Sequence, residues 1–203
     1  MVFKINLDEP KNYKIRVQIN GEFFGWFKQK TISGLKIKNN MELSEEEFTN
    51  LQKILEEEYC KPKALQILAL RDHSKQELAE KLKKIANSKT VEKVILNLQD
   101  VELIDDLKYA ENLTKNLILK KFHSKQRVLY ELKSKGLAPE IVTAALEKIN
   151  IDPVEQLVLI IEKKYINKIN SFEAKQKVIR ALLQRGHNYS DVLAALSKMV
   201  EKP

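Results

Sequence analysis

The chain has 203 residues, 43% of them hydrophobic and 32% charged, which excludes disorder and allows one or two small modules with cores of their own. No apolar run approaches the ~20 residues of a membrane helix, no apolar h-region follows Met1, and the single Cys60 excludes an internal disulfide, so a cytoplasmic protein is expected. The net charge of +8 is uneven, −1 over residues 1–60 and +9 over the rest, and the basic two-thirds points to a polyanionic or acidic partner.

The first element is a β-hairpin. Asn20-Gly21 lies between alternating segments and suits a type I′ turn, in which both central residues need positive φ. Pairing outward from that turn sets Ile19 against Glu22, Val17 against Phe24 and Ile15 against Trp26. One face then carries Tyr13, Ile15, Val17, Ile19, Phe24 and Trp26, and the other Lys14, Arg16 and Gln18 with Phe23 and Phe27. The first face is read as core, because an isolated hairpin is marginal and must pack on something. Aromatic residues beside Lys and Arg also have the makings of a nucleobase-stacking surface. A capped helix follows. Ser44-Glu45-Glu46-Glu47 is a capping box flanked by the staple pair Leu43 and Phe48, and Lys61-Pro62 predicts a break before the next helix.

From there the sequence repeats. His73-Ser74-Lys75-Gln76 recurs as His123-Ser124-Lys125-Gln126, and Glu173-Ala174-Lys175-Gln176 stands 50 residues further on. Each segment opens a helix with apolar positions in register: Leu78, Val128 and Val178, then Leu82, Leu132 and Leu182. A second helix follows each, with stripes Val91, Val94, Ile95, Leu98, then Val142, Ala145, Leu146, Ile149, then Val192, Ala195, Leu196, Met199. These are i, i+3, i+4, i+7 faces. Gly136 and Gly186 sit in the inter-helix turn, where left-handed geometry favours glycine, and Ala86-Asn87 fills that place in the first unit. Asp105 or Asp106 is expected to cap a helix running to about Lys120, and Asp152-Pro153 to cap the next. The fold class expected is mainly α: tandem three-helix repeats in an elongated curved array, preceded by the hairpin and helix. The expected boundaries are 1–60, 61–109, 110–153 and 154–203.

Catalytic signatures are missing. The five glycines form no phosphate loop, and His73, His123 and His187 are not spaced with Cys60 as a metal set. His73 and His123 share one repeat position, just before a helix start, which is a structural address. No enzyme activity, cofactor or metal is expected.

Basic residues concentrate in two stretches. Lys120, Lys121, Lys125, Arg127, Lys133 and Lys135 face only Glu131, and Lys163, Lys164, Lys168, Lys175, Lys177, Arg180 and Arg185 face only Glu173. Lys75, Lys125 and Lys175 recur at one repeat position, so stacked units would align them as a basic row able to track phosphates or an acidic groove. The candidate contact residues are therefore Lys75, Lys121, Lys125, Arg127, Lys133, Lys135, Lys175, Lys177, Arg180 and Arg185.

Several segments together resemble the RecX family of regulatory proteins. Arg71-Asp72-His73-Ser74-Lys75-Gln76-Glu77-Leu78-Ala79-Glu80-Lys81-Leu82 is similar to the family's R-x-x-S-x-x-E-L-x-x-K-L pattern. Leu103-Ile104-Asp105-Asp106-Leu107-Lys108-Tyr109-Ala110 is similar to its L-[LI]-D-D-x-x-[FY]-A signature. Lys125 to Gly136 and Arg180 to Gly186 resemble its later repeats. The resemblance covers about residues 61–200, with Glu102 standing where the family often has glycine and the third unit lacking the His-Ser start. It implies a monomer that binds the RecA recombinase filament on single-stranded DNA and inhibits its ATP hydrolysis, strand exchange and growth. On the residues alone, a direct single-stranded nucleic-acid binder or a helical-repeat adapter stays open.

Overall fold

Asn20 and Gly21 take φ of 51° and 84°, so the hairpin turns where the sequence places it. The computed structural model describes residues 2–200 and separates into two units. The first comprises the chain up to His73 together with Glu77–Ile104, the second Ser74–Gln76 together with the chain from Asp105 onward. In the first unit the hairpin, β2 (Lys14–Ile19) and β3 (Glu22–Lys28), extends through β1 (Phe3–Leu7) and β4 (Met41–Leu43) into an antiparallel sheet of order β3-β2-β1-β4, with α1 (Gln29–Gly34) after β3.

The predicted register fails halfway along the hairpin. Ile19 does face Glu22, but a bulge between Val17 and Gln18 leaves Phe24 unpaired, so Val17 faces Gly25 and Ile15 faces Phe27. One extra residue moves every later side chain to the opposite face. Phe27 is therefore buried with Ile5, Ile15, Val17, Ile32, Leu43 and Leu55, whereas Trp26 and Tyr13, both assigned to the core from sequence, lie on the surface.

The helix α2 (Glu45–Leu68) starts as expected. The Glu47 amide donates to Ser44 Oγ at 3.3 Å and the Ser44 amide donates to Glu47 Oε2 at 2.9 Å. It does not break at Lys61-Pro62: Pro62 lies inside it. The loss of one backbone hydrogen bond at proline is outweighed because α2 serves two cores. Leu55 packs under the sheet, while Cys60 and Ala64 pack with α3 (Lys75–Leu82) and α4 (Ser88–Asp100) around Leu78, Leu82, Val91, Val94, Ile95 and Leu98. The buried carboxylate of Glu56 accepts from Gln52 Nε2 at 2.8 Å and from the backbone and side-chain amides of Asn87. Asn87 is not the left-handed turn residue expected from its place in the repeat. It has φ of −67° and caps α4 by accepting from the Thr90 amide at 3.0 Å.

In the second unit Asp105 caps α5 (Asp106–Lys115), which passes into a π-helical turn over Asn116–Lys120. Then come α6 (Lys125–Ser134), α7 (Pro139–Glu147), α8 (Pro153–Tyr165), α9 (Phe172–Leu183) and α10 (Tyr189–Val200), with Asp152 capping α8 as expected. Each triplet closes its own core. Ala110, Leu117, Val128, Leu132, Val142 and Ala145 form one, and Leu157, Ile160, Ile161, Val178, Leu182, Val192 and Ala195 the other. Gly136 and Gly186 take φ of 69° and 86° at corresponding turns. The third repeat departs from expectation at its start: Ser171 caps α9, so Lys175 lies a turn inside its helix, whereas Lys75 and Lys125 open theirs.

Candidate binding surface on the second and third repeats

The junction between α6 and α9 is built from backbone carbonyls and one repeated serine. Ser124 donates through its amide to the Arg185 carbonyl at 3.0 Å and through Oγ to the Gly186 carbonyl at 2.7 Å, while Oγ accepts from the Arg127 amide at 3.1 Å. His187 Nε2 donates to the Phe122 carbonyl at 2.9 Å, and Arg185 Nε to the Lys121 carbonyl at 3.3 Å. A side chain at position 186 has no room, because a Cβ there would lie 2.8 Å from both Arg127 Cβ and Ser124 Oγ. A related arrangement, shifted by one residue, occurs 50 residues earlier within this unit: Ser74 Oγ donates to the Lys135 carbonyl at 2.6 Å, and Gln76 fills the space beside Gly136.

This junction gathers charge that is dispersed in sequence. Lys121, Arg127 and Arg185 surround His123, whose pKa is held below the usual histidine value first by burial and then by those cations, against Glu131. Burial also lowers the pKa of His73 and of His187. Arg185 is half-buried, with Nη1 donating to the Ala181 carbonyl at 2.7 Å, so its guanidinium is committed to the turn. Arg127 pairs with Glu131 at 2.8 Å and lies 5.5 Å from the Tyr130 ring centroid. An exposed pair of this kind contributes about 0–1 kcal/mol and leaves the head group accessible.

The remaining candidates divide by exposure. Lys75, Lys125, Lys133, Lys177 and Arg180 are exposed, and Lys135 and Lys175 half-buried. The Lys75 amide donates to Asp106 Oδ1 at 2.7 Å. Sequence reasoning overlooked Tyr130, 64% exposed on the polar face of α6, although an aromatic residue among lysines at i+3 from Arg127 was a usable signal. It also overlooked an apolar groove of about 540 Å³ lined by Ile118, Leu119, Phe122, Leu159, Ile160 and Lys163. Lys164 Nζ stands 5.4 Å from the centroid of Phe122 in that groove. Among the described residues no helix is long and apolar enough to cross a membrane.

Comparison with known proteins agrees with this repeat architecture. Residues 105–146 match the family model described as RecX, second three-helix domain, and residues 151–196 match RecX, third three-helix domain. The chain is similar to the regulatory protein RecX of Clostridioides difficile (strain 630), 28% identical over 125 residues, or 60% of this chain. It is also similar to the regulatory protein RecX of Prosthecochloris aestuarii (strain DSM 271 / SK 413), 40% identical over 55 residues, or 27% of this chain. The matched segments span 58% and 36% of the lengths of those relatives. Its fold is shared by a crystal structure of regulatory protein RecX, with TM-score 0.56, 19% identity, and 96% of this chain and 99% of that one covered. It is shared too by the crystal structure of RecX from Lactobacillus salivarius, with TM-score 0.55, 22% identity, and 70% and 94% covered. Two RecX three-helix domains in order, each matching one helical triplet and its core, support a RecX family protein.

Proposed function

We propose that this protein binds the RecA recombinase filament on single-stranded DNA and restrains it, lowering its ATP hydrolysis, strand exchange and growth. Membership of a regulatory family supports the reading. The observation that carries it is the cationic junction of the second and third repeats, where Lys121, Arg127 and Arg185 meet around His123, with exposed Lys125, Lys133, Lys177 and Arg180 on the adjoining helices. A rigid polycationic surface with no enzyme motif behind it suits the groove of an anionic nucleoprotein helix.

The test is the RecA ATPase rate on single-stranded DNA, titrated with this protein. Inhibition well below one protein per recombinase is the expected result. The quadruple variant Lys125→Glu, Lys133→Glu, Lys177→Glu, Arg180→Glu should keep its helical circular dichroism and lose most of the inhibition. An unaffected rate with the unaltered protein would overturn the recombinase reading, and full inhibition by the folded variant would overturn this surface.

A further inference from the structure

The sheet of the first unit carries a surface that the repeats do not explain. On its outward face Lys14 stands directly opposite Lys28, and Arg16 opposite Trp26. Like charges directly across a strand pair are destabilising, and among the described residues neither lysine has an ion-pair partner. Two large rings lie beside them, Trp26 39% and Phe23 52% exposed, with the Arg16 guanidinium 5.3 Å from the Phe23 centroid.

The turn that leads into β2 adds a third ring. Lys11 and Lys14 exchange backbone hydrogen bonds of 2.8 and 3.0 Å across Asn12 and Tyr13, which take φ of 51° and 62°. Asparagine tolerates that geometry, but for a bulky residue it is an outlier costing about 1–2 kcal/mol. The strain is not offset by burial, since Tyr13 is 86% exposed. Strain of this kind in an exposed aromatic residue points to a role other than stability. Two hollows of about 560 and 520 Å³ adjoin here and share Asn12, Lys14 and Lys28; Trp26 borders one and Tyr13 the other.

We propose that this face binds single-stranded nucleic acid, with bases stacked on Trp26 and Tyr13 and the intervening phosphates held by Lys14 and Lys28. Unpartnered cations alone would suit any acidic polymer. Cations interleaved with exposed planar rings suit one that alternates phosphates with π-faces. The bulge at Phe24 is the local cause, because it turns Trp26 outward into line with Arg16. The proposal does not rest on the filament reading, since its ligand is a bare strand and its residues lie outside the repeats.

Trp26 is the only tryptophan, so its emission reports on the site alone. Titration of the full chain with a bare oligothymidylate at low salt should quench that emission to a saturating value. Lys14→Glu places opposite charges across the strand pair, so it should leave the fold at least as stable while weakening binding about 10-fold, with a shallower salt dependence. Tyr13→Asn should raise thermal stability and weaken binding about 5-fold or more, the loss of one stacked base. Four results would overturn the proposal: no quenching, equal quenching by polyglutamate, oligonucleotide binding unchanged in Lys14→Glu, or binding lost only in the quadruple repeat variant.

Discussion

At the scale of single residues, the structure reassigns histidines and turn positions that sequence spacing could only locate. His187 is buried, and its pKa is lowered first by burial and further by Arg185, against the hydrogen bond from its Nε2 to the Phe122 carbonyl and against Asp191. His73 and His123 shift the same way. A histidine whose folded pKa lies below its unfolded value, about 6.5, binds fewer protons when folded. Its contribution to stability is therefore complete above that value and is lost as pH falls through the folded pKa. Melting temperature should fall from about pH 7 to about pH 5 in consequence. His187→Leu, which installs the residue found 50 positions earlier at Leu137, should lower the melting temperature at neutral pH and flatten its pH dependence. Glu102 offers a second test. It takes φ of 55°, a left-handed conformation that favours glycine, so Glu102→Gly should stabilise the protein by about 1 kcal/mol in urea denaturation.

At the scale of elements, most helix starts were legible because caps are local. Ser44, Asp105, Ser124 and Asp152 each accept from amides two or three residues ahead, and that geometry is written in the residue types. The failures were non-local. Proline at position 62 signals a break, yet α2 continues because two separate cores hold its two halves. The hairpin register slipped at a bulge beside Gly25, where a glycine inside a strand was the local signal that pairing outward from the turn passed over. Glycine turns are local in conformation but not in packing. Gly186→Ala should cost about 1–2 kcal/mol from its left-handed backbone alone, and more from contact with Ser124 and Arg127. Chemical denaturation would read a larger loss than at an exposed glycine such as Gly34, whose added Cβ meets nothing.

At the scale of the whole molecule, charge is the property that reaches beyond the fold. The net excess of +9 over residues 61–203 remains after every carboxylate there is counted, including Glu131 and Glu111, which pair with Arg127 and Lys148. Inhibition of RecA should therefore weaken steeply with added salt for the unaltered protein and only shallowly for the quadruple repeat variant, as measured by the midpoint of ATPase inhibition. A salt-independent midpoint would mean that apolar contact, for instance at the groove around Leu119 and Leu159, dominates instead.

What the sequence by itself determined is the repeat: its period of 50, its caps, its glycine turns and its apolar stripes, all of which depend on residues within a helical turn or two of one another. What only the tertiary structure decided is which side chains share a surface. Lys121 and Arg185 meet because Ser124 and His187 fasten two turns together, and Trp26 joins Lys14, Arg16 and Lys28 because one unpaired residue rotates the strand. Both depend on long-range contacts, and a one-residue shift in such a contact changes the face a side chain occupies without changing the local pattern that sequence reasoning reads.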